Sequence, residues 1–188
     1  MHPRSFLLAG LLSLPMQLAA SPGQQPEMWV GFSSERSEAN HHGHADFDVI
    51  SLRVSRPLLR LPRIFDRWDQ ALSVSYGDVR QPRSWFGYRD GDPNDRIRSE
   101  WATFLIRARW RRSSAIQPFV EIGTGPMWSN RRIPAATSRL NVNSQFACGL
   151  IHRRIEAGYR FSHVSNGGTA SRNPGWNVHG LFVGARIR

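Results

Sequence analysis

From Ile155 the chain alternates in character. Ile155, Ala157, Tyr159 and Phe161 fall on one face, and Glu156, Gly158, Arg160 and Ser162 on the other. A period of two marks a β-strand, because successive side chains point to opposite faces. The pattern recurs eight times, and helical periodicity is nearly absent. Its apolar sets include Met28, Val30 and Phe32; Ile50, Leu52 and Val54; Leu72, Val74 and Tyr76; and Phe104, Ile106 and Ala108. They continue with Val120, Ile122 and Trp128; Phe146, Cys148 and Leu150; and Leu181, Val183, Ala185 and Ile187. The opposite faces hold Arg53, Arg107, Arg109, Glu121, Glu156 and Arg160, with many Gly and Ser. A soluble sandwich would turn these charges to water. A membrane barrel turns the apolar face to lipid and the polar face inward. In an eight-stranded barrel that interior is filled by side chains, so Arg and Glu would pair inside.

Strand lengths near ten residues and tryptophans at strand ends (Trp29, Trp68, Trp101, Trp110, Trp128 and Trp176) favour the barrel. The connections agree. With odd strands running outward, the outer loops are 35–45, 80–98, 130–139 and 166–175, long and polar. The inner turn 152–154 is very short and 111–115 is short, whereas 57–67 is longer and Pro-rich. The prediction is an all-β chain, an eight-stranded antiparallel transmembrane β-barrel with a polar, filled interior.

Composition adds a compartment. The chain starts with a short basic segment, an apolar run over 6–18 and small residues at Leu18-Ala19-Ala20. That is the form of a secretory signal peptide over 1–20, leaving 21–188 as one barrel domain. No later run is long and apolar enough for a membrane helix. The single cysteine, Cys148, cannot form an intramolecular disulfide and reads as a small apolar filler. The net charge is +11 and all 25 basic residues are Arg. For an exported chain this fits an anionic membrane surface better than nucleic acid. The expected location is therefore the bacterial outer membrane.

Chemistry enters where the apolar stripe turns polar. Beyond Phe161 its next positions are His163 and Ser165; extending the last strand's apolar face backwards reaches His179 and Asn177. A His and a Ser two apart on one strand face can act as base and nucleophile. The bland alternative is an interfacial rim of His, Ser and Asn that only meets headgroups. Other candidates are weaker. His41, His42 and His44 could bind a metal, but share a loop. GDPND over 91–95 has calcium-like Asp spacing without the rest of such a loop. Arg80, Arg83, Arg89, Arg131, Arg132 and Arg172 could bind lipid phosphates or form a generic basic rim.

The segment FSHVSNGG followed by NPGWN resembles the signature of the lipid A 3-O-deacylase (PagL) family. The resemblance is close over about the last 35 residues. It implies an outer-membrane barrel that removes the 3-O-linked acyl chain of lipid A in lipopolysaccharide, with no cofactor and no metal. His163, Ser165 and Asn166 fall on the motif. The position of the family's Glu, fourteen after the His, is Asn177. The roles implied are Ser165 as nucleophile, His163 as base, and Asn166 with the Gly167 amide as oxyanion donors. Asn177 would orient the imidazole without supplying a negative charge. Glu156 lies on the wrong face to replace it, and Asp90, Asp92 and Asp95 are the outer-loop carboxylates considered. The departure at Asn177 keeps open a catalytically weak or inactive barrel with a structural or surface-binding role.

Overall fold

The computed structural model describes residues 25–39, 43–58, 65–82, 84–87, 96–110 and 115–188. The signal peptide, His41, His42, Arg83, Arg89, the GDPND segment and Asp90, Asp92 and Asp95 lie outside the described residues. Eight strands follow in order: β1 Glu27–Ser37, β2 Asp46–Pro57, β3 Arg67–Arg80, β4 Arg96–Arg109, β5 Ile116–Ser129, β6 Leu140–His152, β7 Ile155–Ser165 and β8 Trp176–Arg186. Each pairs antiparallel with its neighbours, and β8 pairs back onto β1 to close the barrel. Closure satisfies every strand edge, which a sheet within hydrocarbon requires.

The two faces separate as alternation predicts. Phe32, Ile122 and Leu181 point outward at 59%, 58% and 71% exposure. Such a wide apolar exterior has a physical reason only against lipid. The interior holds ionic clusters. Arg107 bonds Glu121 through Nε at 2.8 Å and Glu156 through Nη1 at 2.6 Å, and Arg53 joins Glu156 at 2.8 Å. Arg109 bridges Asp69 at 2.6 Å and Glu27 at 2.9 Å, with Arg67 and Arg186 also on Glu27. Arg160 meets Glu35 at 3.0 Å. Buried charges persist only when paired this way. The guanidinium of Arg107 also lies 3.9 Å from the centroid of Phe119, a cation–π contact.

The outer end, meaning the end with the long loops, differs from a purely polar lumen. Phe47, Val49, Val79, Trp85, Ile97, Trp101, Met127, Ile133, Val164, Trp176 and Val178 form a buried apolar plug there. Trp85 and Ile133 come from the loops and reach into the barrel mouth. The tryptophans at strand ends, which favoured a membrane barrel, do not all lie on its outer face. Trp29, Trp101 and Trp176 are 1%, 8% and 3% exposed and fill the barrel, whereas Trp128 faces out. Trp68 and Trp110 clasp Phe65 edge-on at 4.9 and 4.5 Å, which gives the longer inner connection an anchor. A buried indole contributes about 150–250 Å² of apolar cover, so three inside make a substantial core.

Candidate active site

β7 ends with Ser162 inward, His163 outward, Val164 inward and Ser165 outward. β8 begins with Trp176 inward, opposite Val164, and Asn177 outward, opposite His163. Trp176 fixes this end by stacking on Phe47 at 5.3 Å and packing against Trp85 at 5.1 Å. The outward pair therefore stands on a rigid plug.

His163 Nδ1 and Asn177 Oδ1 lie 2.9 Å apart. Asn177 Nδ2 donates to Glu38 Oε2 at 3.2 Å. A carboxylate only accepts, so that contact fixes which end of the Asn177 amide faces His163. The amide oxygen also only accepts, so Nδ1 of His163 carries the hydrogen and Nε2 is left as the basic nitrogen. Nε2 faces Gly175. A Cβ added at Gly175 would sit 2.9 Å from His163 Cε1, 3.1 Å from Nε2 and 3.8 Å from Ser165 Cβ. The imidazole, Ser165 and the backbone of Gly175 thus border one small space, and only glycine leaves it open.

The β7–β8 loop is tied by Asn166. Its backbone N–H donates to Asn173 Oδ1 at 2.9 Å, its Nδ2 donates to the Arg172 carbonyl at 2.7 Å, and its Oδ1 accepts from Gly168 N–H at 3.0 Å. The last contact is a turn of the kind Asn side chains make with the backbone two residues on. Asn166 is 3% exposed, so these bonds satisfy a buried amide, and its Nδ2, expected from the sequence as an oxyanion donor, is instead committed to the Arg172 carbonyl. Gly167 and Gly168 have φ of +60° and +80°, in the left-handed region glycine adopts without strain. Among the described residues the Gly167 N–H has no hydrogen-bond partner.

His163 also belongs to a polar row across strands. Ser144 on β6 pairs with His163, Thr124 on β5 pairs with Ser144, and their two hydroxyls are 2.9 Å apart. One pair lower the outward residues are Ile122, Phe146 and Phe161, all exposed and apolar. Beyond this row the exposed apolar residues continue on β5 and β6, with Val142 opposite Ser165 and Leu140 opposite Trp128, so the site is a polar row set within the apolar exterior near its outer end.

The remaining candidates separate from it. Glu156 is buried on Arg53 and Arg107 inside the barrel. His44 lies 3.7 Å from Asp46, and among the described residues no group of three or more His, Cys, Asp or Glu could hold a metal. Arg80 pairs with Asp48 at 2.9 Å; Arg131, Arg132 and Arg172 lie in the outer loops. Sequence reasoning passed over Glu38. It stands 139 residues from Asn177, and only the closure of β1 onto β8, which sets Ser37 beside Val178, brings it there.

Fold and side-chain placement define a class, an eight-stranded outer-membrane-type β-barrel with an outward-facing His–Ser site at its rim. The family model described as Lipid A 3-O-deacylase (PagL) matches residues 60–186. The chain belongs to that family. Its fold is similar to the crystal structure of the outer membrane enzyme PagL, with a TM-score of 0.60 and 18% identity over 84% of this chain and 99% of that one. It is also similar to Neisserial surface protein A, with a TM-score of 0.56 and 6% identity over 86% of this chain and 97% of that one. No curated protein matches the sequence.

Proposed function

We propose that this protein is an outer-membrane esterase that removes the 3-O-linked acyl chain of lipid A by a Ser165–His163 mechanism. The observation that carries this is the outward His163–Asn177 pair at 2.9 Å, two residues from Ser165 near the outer end of the apolar exterior. Acyl esters of a membrane lipid lie near the headgroup boundary, with chains below and sugar above. A hydrolase for them needs its nucleophile on the lipid side, where a polar pair is otherwise disfavoured.

Ser165 Oγ attacks the ester carbonyl carbon while His163 Nε2 takes its proton. The carbonyl oxygen gathers charge beside the Gly167 N–H, which points from a loop held by Asn166. Collapse breaks the ester C–O bond, and His163 returns the proton to the leaving sugar oxygen. Water, giving a proton to His163, then attacks the acyl-Ser165 carbonyl; the bond from the acyl carbon to Oγ breaks, His163 returns the proton to Ser165 Oγ, and the fatty acid leaves. Asn177 holds the imidazole by its oxygen. No step calls on a metal or cofactor. Residues 1–20 direct export and 21–188 form the barrel.

The test is mass spectrometry of lipid A from cells making the protein. Loss of one ester-linked acyl chain, absent with Ser165→Ala, is expected. Unchanged lipid A from cells holding the folded wild-type barrel would contradict the reading.

A further inference from the structure

Asn177 leaves the imidazolium of a Ser–His mechanism without an adjacent negative charge. The structure supplies one a step further out. Asn177 Nδ2 donates to Glu38 Oε2 at 3.2 Å, and Glu38 N–H donates to the Asn177 carbonyl at 3.2 Å. The two residues are thus held together through side chain and backbone. Glu38 comes from the segment after β1, ahead of the matched residues 60–186.

We propose that Glu38 is a positioning residue for deacylation, acting on His163 through the Asn177 amide. This rests on the hydrolase reading above. A carboxylate on Nδ2 fixes the amide with its oxygen toward His163, so the ring keeps the tautomer with Nε2 free. It also polarises the amide, drawing electron density onto Oδ1, because linked hydrogen bonds strengthen one another. The His163 Nδ1–H then meets a more negative acceptor when the ring takes the proton of Ser165. The charge that a Glu would hold against the ring is here divided between an amide that touches it and a carboxylate behind. No described cation is bonded to Glu38, whose hydrogen bonds are to Asn177 and Ser37. Its charge therefore remains available to Asn177.

The experiment uses the purified full-length barrel in detergent, with folding checked by heat-modifiable gel migration. Two rates are read: capture of Ser165 by a fluorophosphonate probe, and deacylation of lipid A resolved into kcat and KM. Glu38→Gln is expected to lower both kcat and probe capture about tenfold with KM unchanged, since a charged acceptor roughly doubles a hydrogen bond. Glu38→Asp recovers part of the loss. In an Asn177→Ala background Glu38→Gln changes nothing further, which a general effect on loop stability would not produce. Glu38→Gln combined with Asn177→Glu, which returns the charge to the ring directly, restores activity. Wild-type rates in Glu38→Gln, or an equal loss with Asn177 already removed, would overturn the relay while leaving the esterase reading intact. A wild-type barrel that neither captures the probe at Ser165 nor deacylates lipid A would overturn both.

Discussion

At the scale of single residues, the segment from Asn173 to Asn177 assigns one task to each of four positions. Asn173 accepts from the Asn166 amide, Gly175 clears the imidazole, Trp176 locks into the plug and Asn177 holds Nδ1. Gly175 offers a clean test. A methyl there meets the far end of a turning side chain rather than backbone. Gly175→Ala is therefore expected to swing His163 aside and cut deacylation at least tenfold, with the unfolding midpoint nearly unchanged. Equal activity in the folded variant would show that Nε2 does not work in that space. Ser165→Ala and His163→Ala are each expected to abolish turnover, and the double variant to be no worse than either, because the two act as one unit. Initial rates on lipid A for the three variants check this.

At the scale of strands, alternation carries most of the information. It marks β4, where Phe104 faces out between the buried Thr103 and Leu105 and Arg107 faces in. Ile106→Arg would set a charge on the outward face, at a cost of about 2–4 kcal/mol near the midplane. Denaturant titration of the barrel in lipid vesicles measures it, and unchanged stability would count against a lipid-facing β4. The eight strands and the outward faces of His163, Ser165 and Asn177 were legible from the same period. The interior place of Trp29, Trp101 and Trp176 was legible too, since each has the parity of the polar face, but they were weighed only by their position at strand ends. The loop role of Asn166 was hidden, because its three bonds depend on where Arg172, Asn173 and Gly168 turn back. Glu38 was hidden for a deeper reason. An eight-stranded barrel implies that β1 closes onto β8, but alternation does not set the register, Ser37 beside Val178, that brings Glu38 to Asn177.

At the scale of the molecule, the barrel is built in two parts, an ionic interior and an apolar plug beneath the loops. The plug explains how an outward site stays rigid at a rim. The ionic interior carries a stability prediction. Arg107 is 2% exposed and serves both Glu121 and Glu156, so Arg107→Met strands carboxylates that Arg53 still partly compensates. A loss of about 3–5 kcal/mol is expected in guanidinium unfolding of the barrel. A neutral result would mean that the interior network is a passive filling.

The central claim is that a serine on the lipid side of the barrel cleaves an acyl ester of lipid A. Fatty acid release from purified lipid A by the refolded protein in detergent tests it most directly, with Ser165→Ala alongside. The expected result is one ester-linked chain freed per lipid A, from the 3 position, with amide-linked chains untouched and no release by Ser165→Ala. A heat-modifiable, folded wild-type barrel that frees no chain, or a Ser165→Ala barrel that frees it equally fast, would contradict the claim.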